Sequence, residues 1–536
     1  MLHLVFARSR RTGLLVLTVV AALLLAGVLM AIGARRANAQ TAPVAYVYLR
    51  GADTIATEVV TPGNGVVKGV LAYRGQPRVE WEQQRASLRL TLEVFAAGSA
   101  PDAAPMQVAS FVPRGDSMAI EVGARGAMRP QSVPIRSGAV AFINNSLLHS
   151  ALLSQLARET GRATLPVLLT QGAQQFDVVF SRSGDTTTMT IAGMALHIVW
   201  GDGVPQEVRV PAQNLRAVRA GGSVAPLVEA PANYDAPADA PYTSETVSIY
   251  TPRGYTLAGT FTRPKGVRGP VPVVVTISGS GPQDRDSRIP LVRGYAPFRD
   301  IADTLGRRGM AVLRYDDRGV GASGGQAGRD SATSRDFADD VLSVVRYLRL
   351  RPDVDGRRIA LVGHSEGGFI APMVAVDDPA LRAIVLLAGP AYTGRRVIEF
   401  QNENVIRSAP SLTAMQRDSL RRTVPAALDS IQRTNRWMGY FMTTDPLVVA
   451  RKVKQPVLIL QGDTDQQVTP EQADTLAMAM RAAGNRAVTM QRFPATNHLL
   501  LADPIGAPAG YAALPDRKVR PELLGTLADW LTRTLR

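Results

Sequence analysis

Hydrophobic and polar positions change their period once along this chain. From about Val44 to Val218 they alternate. Segments such as "VVKGVLAYR", "ASLRLTLEVF", "QFDVVFSRSG" and "TTTMTIAGMALHIVW" are separated by Gly, Pro, Asp or Asn. Alternation of this kind places apolar side chains on one face of a half-buried antiparallel strand. One stretch, Val140 to Ala157, has helical spacing instead. The first half therefore predicts an antiparallel β domain with one helix, over residues 40–226. "LVEAPANYDAPADAPYTSE", Leu227 to Glu245, has no sustained period and is rich in Pro, Ala and Asp, which predicts a semi-extended linker over 227–243.

Beyond the linker, continuous apolar runs ("VPVVVTIS", "MAVLRYD", "RIALVG", "AIVLLAG", "PVLILQG") alternate with helical ones ("FRDIADTLGRRG", "SRDFADDVLSVVRYLRL", "PEQADTLAMAMRAAG"). Uninterrupted apolar strands are buried on both faces. Separated by helices, they predict a mostly parallel, doubly wound α/β sheet over 244–536. In such sheets the site lies at the carboxyl ends of the strands. The loops just after the strands are where chemistry is expected.

At 536 residues the chain exceeds what one hydrophobic core usually supports, in keeping with two domains. It has no cysteine, which excludes disulfides, thiolate metal sites and cysteine nucleophiles. Arg8, Arg10 and Arg11 precede an uncharged apolar run from Gly13 to Ala34, and Ala37 and Ala39 form a small-x-small cleavage signal before Gln40. Residues 1–39 thus read as a secretory signal peptide, so the protein is expected to be exported; uncleaved, the run would be a membrane anchor. The formal net charge is +15, of which Arg8, Arg10, Arg11, Arg35 and Arg36 supply five. The remaining basic residues are scattered, with no stripe interleaved by aromatics. That excludes a nucleic-acid partner and leaves a solvated basic surface suited to association with an anionic cell envelope.

One polar interruption carries chemistry. Gly363-His364-Ser365-Glu366-Gly367 follows a predicted buried strand and opens a predicted helix, the setting in which G-x-S-x-G forms a nucleophile elbow. A serine hydroxyl needs a base, and the base an orienting acid. Of five histidines, His3 lies in the leader, His149 and His197 sit among apolar residues of the β half as packing residues, and His364 is held beside the serine with its ring directed away. His498, in "FPATNHLLLAD", remains as the base. Asp463 and Asp465 follow "PVLILQG"; Asp465 has the spacing expected of the acid, and Asp463 suits a turn. An oxyanion hole needs two N–H donors. Glu366 is expected to give one and Ser280, in "GSGPQDRD", the other. Arg285 and Asp286 either reach the pocket or pair with each other.

Gly319 to Gly324 matches G-x-G-x-x-G, but "DDR" intervenes after the strand. The acidic residue of a dinucleotide site would also fall inside a predicted helix. There is no Walker-type lysine loop and no H-E-x-x-H, so neither a cofactor nor a metal is expected.

Ser278-Gly279-Ser280-Gly281-Pro282, Asp317-Arg318-Gly319 with Gly321 and Ser323, Gly363 to Gly368, Asp465 and His498 together resemble the α/β-hydrolase superfamily, nearest to bacterial carboxylesterases related to dienelactone hydrolases and serine aminopeptidases. The resemblance covers roughly Ser244 to Arg536. It implies an α/β-hydrolase fold, a Ser365–Asp465–His498 triad, oxyanion donors at Ser280 and Glu366, and a structural Asp317–Gly321 motif. Ser278 stands where many relatives carry histidine. The insertion at about 392–452 implies a helical lid, whose Trp437, Tyr440 and Phe441 either line an acyl pocket or pack the lid. The expected function is a secreted serine carboxylesterase acting on a small-molecule ester through an acyl-enzyme. The alternatives are a serine peptidase of the same fold (aminopeptidase or prolyl-oligopeptidase-like) and a non-catalytic envelope-binding protein.

Overall fold

A computed structural model describes residues 42–536, apart from short stretches at 97–98, 100–101, 172–173, 192, 226, 228–231, 290–291, 330 and 409–412. The signal-peptide reading of residues 1–39 lies outside the described residues. No helix among the described residues is long and apolar enough to cross a membrane. The described chain falls into two units that meet in sequence at 231–232.

In the N-terminal unit fifteen strands form a single sheet. The first strand, Val44–Arg50, lies in its middle, between Asp53–Pro62 and Leu215–Arg219. Successive antiparallel hairpins run outward on one side to Ala127–Pro134 and, on the other, back from Leu215–Arg219 to Val140–Phe142. Val140–Phe142 alone pairs parallel, with Thr164–Leu169. The stretch with helical spacing from Val140 to Ala157 is therefore not one helix. Its first residues join the sheet, buried on both sides, and the helix begins at His149 and ends at Glu159. A short run of residues buried all round has no face to reveal, so its apolar positions mimic a helical stripe.

The core of this unit holds one buried carboxylate. Glu58, on an inward position of Asp53–Pro62, accepts from the Tyr48 hydroxyl, the Trp81 Nε1–H (2.8 Å) and the Ser146 hydroxyl (2.7 Å). Burial pushes its carboxyl from 4.5 up to about 7, against the pull of those donors. His149 sits between Trp81 and Phe142, with ring centroids at 5.4 and 5.8 Å, and burial lowers its imidazole to about 3. His197 bonds Thr188 at 3.1 Å.

The second unit is built on an eight-stranded mixed sheet. In spatial order its strands are Tyr242–Tyr250, Thr256–Pro264, Ala311–Tyr315, Val271–Ile277, Val354–His364, Ala383–Leu387, Val457–Gly462 and Val488–Phe493. The first two form an antiparallel hairpin, Thr256–Pro264 runs antiparallel to Ala311–Tyr315, and the others are parallel. Val271–Ile277 lies between Ala311–Tyr315 and Val354–His364, so the order of connection reverses there, the point at which sheets of this kind place a site at their carboxyl ends. Helices Ser334–Arg349, Glu366–Asp377 and Glu471–Ala482 contribute to one apolar cluster with the sheet, and Pro297–Arg307 and Pro521–Thr534 to another. Ahead of the first strand, Tyr234 bonds Asp284 (3.0 Å) and lies 4.3 Å beneath the Arg285 guanidinium, so the segment read as linker is anchored at Tyr234.

Glu58 generates a stability prediction. Its folded-state carboxyl lies above the unfolded value, so its contribution is complete below about pH 4.5 and is lost as pH rises through about 7. That loss is on the order of 3 kcal/mol. His149 acts oppositely, losing stability as pH falls, and it is common to wild type and variant. Between pH 5 and pH 8 the melting temperature of Glu58→Gln should therefore rise relative to wild type, measured by scanning calorimetry on the full chain. A difference that does not vary with pH would refute this account of Glu58.

Candidate active site

The strand Val354–His364 runs straight into Ser365, and the helix Glu366–Asp377 begins at the next residue. Ser365 has φ 54° and ψ −116°. A non-glycine residue held there costs on the order of 1–3 kcal/mol and persists only where its surroundings enforce it. They do so here. A Cβ on Gly363 would lie 2.0 Å from the Gly367 carbonyl oxygen, and one on Gly367 would lie 2.2 Å from that of Ile277. Only hydrogen at these two positions lets strand, turn and helix pass so closely. The Ser365 N–H donates to the Leu387 carbonyl at 2.9 Å, and its own carbonyl accepts from Gly368 at 2.8 Å.

Ser365 Oγ lies 3.0 Å from Nε2 of His498, and His498 Nδ1 lies 2.8 Å from Oδ2 of Asp465. All three residues are buried. A carboxylate only accepts, so Nδ1 carries the proton and Nε2 is left to accept from the serine. Asp465 is itself held by the N–H groups of Gln467 (2.8 Å) and Val468 (2.9 Å) and by Gln461 Nε2 (3.0 Å). The His498 carbonyl accepts from His364 Nε2 at 2.8 Å, with the two rings 5.0 Å apart. His364 therefore does not turn away from the site. It pins the backbone of the base, and burial followed by the neighbouring His498 lowers its imidazole to about 4. Asp463 is half exposed and pairs with Arg492 at 2.5 Å, apart from His498.

The loop after Val271–Ile277 packs against the elbow, and a Cβ on Gly279 would lie 3.2 Å from Cβ of Ser365. Ser280 follows Gly279, and its hydroxyl is near enough to the buried Glu366 carboxylate to pull that carboxyl down, so both expected donor residues sit beside Ser365. Glu366 is the first residue of its helix, where a backbone N–H has no intrahelical acceptor. Burial raises its carboxyl, while Ser280, Ser334 and Trp437 act the other way.

This loop is anchored from beneath. Asp317 accepts from the Ser278 hydroxyl (2.7 Å) and the Gln283 N–H (3.0 Å), and burial pushes its carboxyl up to about 8. Arg285 makes a bidentate bond to Asp316 (3.0 and 2.7 Å) and reaches Thr260 (3.0 Å). Asp286 pairs with Arg314 and with Arg288. Arg285 and Asp286 therefore do not pair with each other; both lock the loop to the neighbouring strands. The glycine motif at 319–324 also has an internal partner. Gly321, at φ 53°, lies so near Asp316 that a Cβ would sit 2.5 Å from the carboxylate, and the Ala322 N–H donates to that carboxylate at 3.1 Å. The motif wraps a protein carboxylate.

In the insertion, helices Gly394–Ser408, Ala414–Thr434, Arg436–Thr443 and Pro446–Ala450 follow one another. Trp437 stacks on Phe441 (5.6 Å, 7°), and Phe441 meets Phe369 of the elbow helix edge-on (6.2 Å). Asp317 is structural, as the resemblance implies, whereas sequence reasoning missed the roles of Ser334 and the Glu366 side chain. The one signal for the last was an acidic residue between glycines in an otherwise apolar helix start. Among the described residues no cluster of three or more His, Asp or Glu is placed to hold a metal ion.

Residues 293–505 match the family described as serine aminopeptidase, S33. The chain is 27% identical over 289 residues to esterase EstD of Thermotoga maritima, covering 52% of this chain and 66% of that one. It is 27% identical over 233 residues to dipeptidyl aminopeptidase BIII of Pseudoxanthomonas mexicana, covering 43% of this chain and 30% of that one. The chain thus spans less than two thirds of the length of either relative. Among solved structures, the Pyrococcus furiosus esterase Pf2001 aligns at 18% identity with a TM-score of 0.39, over 55% of this chain and 92% of that one. With a serine elbow at the reversal of strand order, a family match over residues 293–505 and esterases and serine peptidases among the proteins it resembles, the second unit has the α/β-hydrolase fold.

Proposed function

We propose that this protein is an exported serine hydrolase that cleaves carboxylic esters of small molecules through an acyl-enzyme. The observation that carries the reading is the unbroken relay from Ser365 Oγ to His498 Nε2 and from His498 Nδ1 to Asp465. In this mechanism Ser365 Oγ attacks the ester carbonyl carbon as His498 takes its proton, and Asp465 stabilises the imidazolium. The carbonyl oxygen becomes an oxyanion bound by the N–H groups of Glu366 and Ser280. Collapse expels the alcohol, protonated by His498. Water, deprotonated by the same histidine, then attacks the acyl-enzyme and releases the acid. The esterase relative supports an ester, and the leader-like residues 1–39 support export.

A serine peptidase is the second reading, favoured by the family match at 293–505 and by the aminopeptidase relative. Against its prolyl-oligopeptidase form stands the N-terminal unit, a single continuous fifteen-stranded sheet where a propeller has separate blades. A non-catalytic envelope-binding role gives the strained serine and its relay nothing to do.

Two experiments test the proposal. Ser365→Ala should lower ester turnover on the order of 10⁴-fold or more, and a fluorophosphonate should label the wild type at that serine. On a panel of acyl esters and aminoacyl amides, esters should turn over faster. A variant that keeps its activity would sink the mechanism, and a preference for the amides would hand the reading to the peptidase.

The two aspartates should separate cleanly. Asp465→Asn offers an amide to His498 Nδ1 and favours the wrong tautomer, which should cost on the order of 10²- to 10⁴-fold in kcat. Asp463→Asn removes only a half-exposed pair with Arg492 and should leave kcat within about 2-fold. Equal effects of the two substitutions, in variants of unchanged melting temperature, would rule out Asp465 as the orienting acid.

A further inference from the structure

Glu366 carries a carboxylate that the ester-cleaving steps leave unused. The residue is 3% exposed, and its polar neighbours come from three separate segments. The Ser280 hydroxyl, in the loop after Val271–Ile277, lies near enough to pull the carboxyl down. The Ser334 hydroxyl, at 2.6 Å, comes from the first turn of the helix Ser334–Arg349. Trp437 Nε1–H, at 2.9 Å, comes from the helix Arg436–Thr443 of the insertion. Ser334 and Trp437 share Oε1. Among the described residues no cationic group pairs with it, and these neutral groups are what offsets the burial of the group.

The position of this residue gives the contacts their meaning. Its backbone N–H is one arm of the expected oxyanion hole, immediately after the nucleophile, and Ser280 is the other arm. One side chain therefore lies against the opposite arm and bonds the insertion at once. The indole is seated by packing as well, stacked on Phe441, which in turn abuts Phe369. A rigid indole holds its N–H where the carboxylate oxygen must be.

We propose that the Glu366 side chain is a positioning residue that fixes the two arms of the oxyanion hole relative to each other and makes that geometry depend on the seating of Trp437. The proposal rests on the ester-cleaving reading given above. The oxyanion exists only at the tetrahedral stage, so a displaced arm should lower kcat and leave KM nearly alone. A carboxylate that merely satisfied its neighbours would move the melting temperature without that split.

Trp437→Phe keeps an aromatic ring against Phe441 and deletes the Nε1–H. Glu366→Gln keeps the size but replaces one acceptor oxygen by an NH₂ group that must face at least one donor. With the full chain, kcat and KM on an ester, the rate of phosphonylation by a fluorophosphonate and the melting temperature should be measured together. Trp437→Phe should lower kcat on the order of 5- to 20-fold and slow phosphonylation comparably, with KM within about 2-fold and little change in melting temperature. Glu366→Gln should cost on the order of 10- to 100-fold, and the double variant should be no worse than Glu366→Gln alone, because both cut one connection. Unchanged kcat and phosphonylation in Trp437→Phe, a rise in KM alone, or effects that multiply in the double variant would overturn the proposal. Should Glu366→Gln fail to fold, Ser334→Ala, which removes the other donor to Oε1, takes its place with the same expectations. Failure of a fluorophosphonate to label wild-type Ser365 defeats the ester reading itself, whereas wild type and variants labelled equally fast defeat this inference alone.

Discussion

The backbone of Ser365 is the constraint on which the rest of the second unit depends. A residue at φ 54° and ψ −116° is unfavourable in isolation, so the surrounding chain must hold it. The restraint is steric at Gly363 and Gly367 and hydrogen-bonded at Leu387 and Gly368. Parallel pairing of Val354–His364 with Val271–Ile277 and Ala383–Leu387 fixes the strand that delivers the serine. Because the sheet reverses its order of connection at this point, the loops bearing Ser280, Asp465 and His498 have room to converge on it.

Each converging loop is fastened by buried polar bonds rather than by apolar packing alone. Asp317 and the Arg285–Asp316 pair hold the Ser280 loop, Gln461 and two backbone N–H groups hold Asp465, and His364 holds the His498 carbonyl. Buried pairs of this kind add little net stability over apolar packing, and removing one partner is costly. Their value lies in geometry, since transition-state stabilisation depends on donors fixed before the reaction begins.

How much of this could be read from the chain follows from range. The elbow was legible because G-x-S-x-G is local and its flanking periods differ. The pairing of Asp465 with His498 was legible because the chain has few histidines and the acid follows a recognisable strand. The side-chain partners of Glu366 were not: Ser280, Ser334 and Trp437 lie in distant segments, and no period connects them. Glu58 was missed although its strand alternates, because a carboxylate on the inward face reads as an interruption until Trp81 and Ser146 are seen beneath it. At Val140–Phe142 the pattern misled, since a run buried on both faces resembles part of a helical stripe. The placement of Arg285 and Asp286 depended on which strands lie next to each other, which the sequence does not display.

The central claim is that this geometry makes Ser365 a covalent nucleophile. Its most direct test is rapid-quench mass spectrometry of the full chain mixed with an activated aryl ester. The account predicts a transient acyl adduct on the peptide carrying Ser365, formed and lost at rates consistent with turnover. Ester hydrolysis proceeding with no adduct, or with the acyl group on another residue, would contradict it.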